Sequence, residues 1–599
     1  MSERHTDHTV TPRRGRVWPT LDRPDAVVTA VLVIGVVLLT AFRLYLSLHR
    51  TGPVIVADEV GYLVNARVLT GGPDGYLNRA NVYAGGYSLA LVPAFLLGTG
   101  PEEVYQLVLG TNAVLSALLL PLLYLLLRRG FGVARAPAAL CGLAGALYAP
   151  ISGFTEVALS ENLLAPLLVA WLLCVVEFAR ARNRAWASVN AVAVGLLTGS
   201  LYATHSRTLP LIPIVLATLV LLAARRHVQP ALALLGIGAT LSSCVGAYLL
   251  NAYLYRQSWP GKVLDQQDRA LGNLFSMDGL PERAQFVAGQ SAYLFLASFG
   301  LAGVGMVALT FVGCGSGTTS VRERLRSAWR RGTSTGLDSE RTRMAAAWIV
   351  LLVAAGILGL TGAATSGDFT RPDHRIYGRY IEIITPLLLA LGLAAISSWL
   401  PTAAPRWVLW CAGVALTSLA TVVTIDGADD AFDATNIGWA NVSGLMLLGG
   451  MRVIDPARSA VACILVFSAI ALLARGRMRV VGALGTSLFL VWGSVHIDTV
   501  FYEPRQDRYY PSSVTVDDFP AIAAADHVAF DASVTGEAEF IYQFYLDHTT
   551  VELFDSRTKA PPADADVVIS TASWPGGDAQ GVQRIWTDPV LGVTAWRLG

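Results

Sequence analysis

The sequence predicts a mainly α, polytopic membrane protein of about 13 transmembrane helices, with a small C-terminal α/β domain outside the membrane. Three observations carry the membrane reading. Of 599 residues, 54% are hydrophobic and 15% charged, with a mean hydropathy of +0.51, a balance foreign to soluble chains. The apolar residues gather into runs near the roughly 20 needed to cross a hydrocarbon core. The arginines are sorted between loops as one topology requires.

Taken in order, residues 1–25 (MSERHTDHTVTPRRGRVWPTLDRPD) are polar and Arg-bearing. They lack the small-residue cleavage pattern of a signal peptide, so they are expected to form a cytoplasmic tail before an uncleaved span. Spans are expected near 26–48, 104–127, 134–150, 161–178, 188–203, 208–224, 229–250, 290–312, 345–364, 380–399, 406–424, 457–474 and 480–497. Together, 26–497 form the expected transmembrane domain. Residues 85–98 (GYSLALVPAFLLG in part) are apolar but short, and are expected to be re-entrant or interfacial.

With the N-terminus inside, RRGFGVAR (128–135), ARARNR (179–184), ARRH, the Arg-rich run 321–343 and ARGRMR all fall in the cytoplasm. That is the positive-inside bias. Counting 85–98 as a full span would turn all of them outward. The outer side then receives 49–103, 151–160, 204–207, 251–289, 365–379, 425–456 and the tail from 498. The net charge of +1 says nothing about partners, because charge is distributed by side. The six cysteines lie in or beside apolar runs without metal-ligand spacing.

The outer side is chemically distinctive. Asp58 and Glu59 follow the first span, and Glu156 and Glu161 sit at the rim in SGFTEVALSEN. RPDHRIYGRY (371–380) is the one basic cluster that breaks the inside rule, so Arg371, Arg375 and Arg379 need another role. A guanidinium fork at a membrane rim suits a phosphate, and a partly buried carboxylate suits proton abstraction. Each signal has a plainer reading. The doublet fits a solvated border, Glu161 fits a helix N-terminus, and Arg379-Tyr380 fits an interfacial anchor. His205 and Arg207 fit a loop, as do Lys262 and the acids after it. Their shared side is what gives them weight together.

The stretches ADEVGYLVNARVLTGG, YAGGYSLALVPAFLLG and EEVYQLVLGTNAVLSALLLPLLYLLLRRGFG resemble the start of the GT-C glycosyltransferases. Within these, the likeness is to the protein O-mannosyltransferases and lipid A aminoarabinose transferases. ALSENLLAPLLVAWLL resembles the second acidic site of that group, and GRYIEIITPLLLALG its Arg-Tyr element ahead of a later span. The resemblance spans roughly residues 26–400. It implies Asp58 as catalytic base, Glu59 as its acidic partner, Glu161 as a second carboxylate and Arg379 as a donor-phosphate contact. Tyr62, Glu156, His205, Arg207, Arg375 and Tyr380 are the accompanying candidates for substrate binding. NRANVYAGGYS lacks the proline pair and acid common in the aminoarabinose transferases. That departure speaks against metal coordination of their kind; a divalent metal ion stays open as a cofactor, with no ligand assigned.

The implied reaction is transfer of a sugar from a polyprenyl phosphate or diphosphate carrier to an envelope glycan, lipid or protein acceptor, with inversion. Membrane lipids are the expected surroundings, nucleic acid is no expected partner, and the setting is a plasma membrane, bacterial by its Arg- and Ala-rich composition. A transporter, a glycan polymerase or ligase, and an inactive scaffold are the competing readings. In the tail (498–599), 526–532, 550–555 and 565–571 read as strands and 536–548 as a helix, giving an α/β module outside the membrane.

Overall fold

The computed structural model describes residues 26–260, 279–314, 337–365, 376–402, 404–426, 442–449, 456–510, 524–534 and 536–599, with isolated positions 262, 272, 273, 276 and 522. The N-terminal tail, Arg371, Arg375 and the inner run 321–336 lie outside the described residues.

Among the described residues, nine helices are long and apolar enough to cross a membrane, or ten with one bent pair counted as a span. Four particular segments make the difference from the expected 13. The helices Arg135–Ala146, Thr385–Ile396 and Arg458–Leu473 are shorter than a bilayer crossing. At 1.5 Å per residue, the 12 residues of Thr385–Ile396 reach only about 18 Å, and every one is buried. Its apolarity serves packing inside the bundle.

The fourth is the expected span 290–312, which divides into Leu280–Ala297 and Leu301–Cys314, bent by 108°. Phe299 (φ 53°) and Gly300 (φ 77°) pass through the left-handed region in succession, which ends one helix and redirects the chain. The hydroxyl of Ser298 accepts the backbone N–H of Ala302 at 3.0 Å and so caps the second arm. The second expected span runs Pro101–Arg129 with a break at Leu118. Pro121 cannot donate to the Ala117 carbonyl, which loosens the ladder there.

Residues 85–97 form the helix Gly85–Leu97, with Pro93 inside it. The last long helix, Arg479–Ile497, continues through a π-helical turn at Asp498–Tyr502 into Glu503–Tyr509. The domain boundary expected at 498 thus falls inside a continuous helix.

The C-terminal domain has five strands: β1 (His527–Asp531), β2 (Thr550–Phe554), β3 (Val567–Ser570), β4 (Gln583–Asp588) and β5 (Val593–Arg597), in the order β2-β1-β3-β5-β4. The first three pair in parallel, and β4 and β5 complete the sheet antiparallel. Alternate residues of β1 serve opposite faces, as a pleat requires. Val528 and Phe530 enter one apolar cluster and Ala529 the other. The helix Gly536–Tyr545 has two apolar faces. Ala538 and Tyr542 pack on the sheet, while Phe540, Ile541 and Phe544 join the core of the membrane domain. It is the piece that fastens the two together.

Candidate active site

Four side chains far apart in sequence meet at one place. Asp58 sits in the first turn of the outer-loop helix Val56–Leu69, and Glu161 begins the helix Glu161–Arg180. Both carboxylates therefore lie at the positive end of a helix dipole. Arg207 comes from the single turn Ser206–Thr208, and Arg379 from the turns before Thr385–Ile396.

Arg379 bridges the two acids. Its Nε donates to Glu161 Oε1 at 2.7 Å, its Nη2 to Glu161 Oε2 at 3.4 Å, and its Nη1 to Asp58 Oδ2. Arg207 Nη2 donates to the same Glu161 Oε1 at 2.7 Å, and its Nη1 to the Arg379 carbonyl at 3.2 Å. Glu161 is fully buried, Arg207 and Arg379 nearly so, and Asp58 keeps 24% of its side chain exposed. The open corner of the cluster is Asp58. Two acids face two arginines, so the centre is neutral before any ligand arrives. Burial opposes the Arg379 charge, but Glu161 and Asp58 outweigh it and hold the guanidinium firmly protonated.

Aromatic groups frame this centre. Tyr83 Oη donates to Asp58 Oδ1 at 2.6 Å. Tyr62 Oη donates to Ser160 Oγ at 3.0 Å, and Ser160 Oγ donates to Glu161 Oε2 at 3.3 Å. Tyr62 is buried behind Asp58, with its ring centroid 5.1 Å from that of Tyr83. The Arg207 guanidinium lies 4.9 Å from the Tyr380 ring centroid, and His205 meets the same ring edge-on at 5.6 Å. His205 Nδ1 accepts the backbone N–H of Arg207 at 3.2 Å. Burial, with Arg207 beside it, pushes the imidazole well below its ordinary range and keeps it neutral.

Two expected site residues belong to other networks. Glu59 is buried with both oxygens engaged. Oε1 accepts the N–H groups of Val54 (2.8 Å) and Ile55 (2.7 Å), and Oε2 accepts Tyr105 Oη (2.6 Å) and the Ala158 N–H (2.7 Å). It ties the start of the outer-loop helix to the 151–160 loop. Burial raises its pKa, against the pull of those four bonds. Glu156 pairs with Arg50 at 2.8 Å, and Arg50 also engages Asp498 at the π-helical turn. Burial and the nearby Asp498 push the Glu156 carboxyl well up, with Arg50 opposing.

Sequence reasoning missed Tyr83, Ser160, Tyr105, Arg50 and Asp498, whose partners lie up to 448 residues away. The doublet Gly85-Gly86 after Tyr83 is a local signal of a close approach. The acids at the centre are already paired with arginines, and no group of three or more His, Cys, Asp or Glu able to hold a metal occurs among the described residues. This donor set does not fit a divalent ion.

Fold and cluster define a multi-pass membrane protein with an acid–arginine centre at its helix ends. No protein-family model and no curated protein matches the sequence. Among solved structures, the chain is similar to ArnT from Cupriavidus metallidurans bound to undecaprenyl phosphate, at 16% identity and TM-score 0.49, over 95% of this chain and 97% of that one. The apo state of ArnT gives 14% identity and TM-score 0.49, over 95% and 98%. The oligosaccharyltransferase AglB from Archaeoglobus fulgidus, in complex with an inhibitory peptide and a dolichol-phosphate, gives 10% identity and TM-score 0.39, over 90% and 65%.

Proposed function

We propose that this chain is a lipid-carrier-dependent glycosyltransferase. It moves a sugar from a polyprenyl phosphate or diphosphate to an extracytoplasmic acceptor, inverting the anomeric centre. The observation that carries the reading is the convergence of Asp58, Glu161, Arg207 and Arg379 in one centre. Asp58, Arg207 and Arg379 lie in segments that the arginine distribution assigns to the outer side, and Glu161 lies at the outer end of a span.

Asp58 is the base, because it is the acid of the four with solvent exposure and so the one an acceptor hydroxyl can reach. The acceptor oxygen attacks the anomeric carbon as Asp58 takes its proton. The bond from that carbon to the phosphate oxygen breaks, and the lipid phosphate leaves with the electron pair. Arg379 stabilises the leaving phosphate, as does Arg207, whose buried Nε has no hydrogen-bond partner and is a spare donor. Glu161 holds the two guanidinium groups side by side, which neither would tolerate without it. Tyr380 and His205 border the arginine side of the cluster, and Tyr62 supports Ser160 and Glu161. Glu59 and Glu156 serve as structural ties.

The test is transfer of radiolabel from polyprenyl-phosphate sugars to endogenous acceptors in membranes carrying the chain. Label appearing in an acceptor, with free polyprenyl phosphate released, supports the reading. Uptake of a solute into liposomes without transfer would replace it with a transporter.

A further inference from the structure

We propose that the C-terminal domain positions the general base: its helix Gly536–Tyr545 grips the irregular strap 73–84, and the strap sets Tyr83 on Asp58. The proposal rests on the reading of Asp58 as base and assigns the tail a part in the reaction.

The strap has no helix or strand of its own, so its backbone groups must find partners elsewhere. Gln543 supplies two of them. Its Nε2 donates to the Tyr76 carbonyl at 3.0 Å, and its Oε1 accepts the Tyr76 N–H at 3.3 Å. Three residues on, Arg79 Nη1 reaches Glu539 Oε2 at 3.2 Å and the carbonyls of Ala532 (3.2 Å) and Val534 (3.4 Å). Glu539 and Gln543 are one helical turn apart and bonded to each other at 3.3 Å. They therefore present one face to the strap. Arg67, on the outer-loop helix, caps the far end of the same domain helix through the carbonyls of Gln543 (3.0 Å) and Leu546 (3.2 Å).

On its other side the strap leans on the end of the helix Pro230–Ser258. The Leu77 N–H donates to the Ser258 carbonyl at 2.9 Å, and Lys262 Nζ donates to the carbonyls of Asn78 (3.1 Å) and Ala80. Held on both sides, the strap ends at Tyr83. The Tyr83 carbonyl accepts Asn65 Nδ2 at 3.1 Å, and its hydroxyl reaches Asp58. Its ring packs between Tyr62 and Trp259, over Gly61, where a methyl group would overlap it. A base carboxylate must be aimed as well as ionised, and Tyr83 fixes one of its two oxygens.

Four forms of the full chain test this: wild type, the latch variant E539Q/Q543A, Y83F, and the three changes combined. The latch variant is expected to lose kcat by about 10-fold to 100-fold with donor KM unchanged. The combined variant should be no slower than Y83F alone, since both act through one contact. Additive losses, or a latch variant at wild-type kcat, would overturn the proposal. Hydrogen exchange supplies a readout independent of turnover: the amides of Tyr76 and Leu77 should exchange faster in the latch variant, and unchanged protection also overturns it. Should the latch variant fail to fold, Gly61→Ala displaces Tyr83 from inside the membrane domain with the docking face intact. The same kcat-only loss, non-additive with Y83F, is then expected, and an unaffected kcat counts against the strap. A wild-type chain with no transfer at all would count against the glycosyltransferase reading instead, while the exchange result would still decide the strap.

Discussion

Asp58 has both oxygens occupied, one by Tyr83 and one by Arg379. Each oxygen keeps a second lone pair for an acceptor hydroxyl, but Asp58 is a better proton acceptor once a donor phosphate competes for the Arg379 guanidinium and draws it away. Donor binding should therefore precede acceptor activation. Asp58→Asn is expected to abolish transfer while leaving polyprenyl-phosphate binding intact or tighter, since the amide releases Arg379. Titration of the lipid against purified protein, beside the transfer assay, checks both halves. Glu161→Gln should act differently. It leaves two nearly buried guanidinium groups short of their counter-charge, a change that costs about 3–5 kcal/mol for a broken buried pair. Its signature is a large drop in Tm in detergent, which Asp58→Asn should not share. The sequence exposed Asp58, Glu161, Arg207 and Arg379 because acids and arginines stood out against an apolar rim. It could not sort Glu59 from Asp58, since adjacent residues on a helix point about 100° apart and only the folded neighbours say which points where.

At the level of elements, long apolar runs were legible and their ends were not. Hydropathy sees that 380–399 is apolar, but it cannot see that Thr385–Ile396 is enclosed by other helices. It also cannot see the turn at Phe299–Gly300, because SFGLAGVG reads as continuous apolar sequence. The strands β1, β2 and β3 were readable as apolar runs. β4 was not, since its residues are mostly half-exposed and mixed in polarity, as suits a sheet edge. Two changes probe element ends. Gly300→Ala imposes a side chain at φ 77°, with the Thr417 hydroxyl 3.0 Å from the new methyl. A loss of about 1–2 kcal/mol is expected from the left-handed conformation alone, read as a lowered Tm. Glu59→Ala removes the acceptor for four donors at the start of the outer-loop helix. Each buried donor left bare costs about 1–3 kcal/mol. Glu59→Ala is therefore expected to lower folded yield more than Gly300→Ala, and the protein that does fold should keep polyprenyl-phosphate binding.

Across the whole molecule, the two parts meet at a titratable contact. Burial raises the Glu539 carboxyl from its ordinary 4.5 to about 7, with Arg79 pulling the other way. Between those two pH values the folded chain holds a proton that the unfolded chain has released. By linkage, the contribution of this group to stability falls as pH rises from 4.5 to about 7, and it is level beyond. The bond from Arg79 works the other way, becoming an ion pair only as Glu539 ionises near the top of that window. Burial outweighs that gain, since the pKa stands raised with Arg79 in place, so docking of the strap should loosen as pH rises through the window. Unfolding of the C-terminal domain, followed by tryptophan fluorescence from pH 5 to pH 8, should show a Tm slope in wild type that Glu539→Gln removes. Strap amide protection should fall over the same interval in wild type and stay flat in the variant. If Glu539→Gln kept the full slope, the titrating group would lie elsewhere, and the contact would be a fixed joint insensitive to pH.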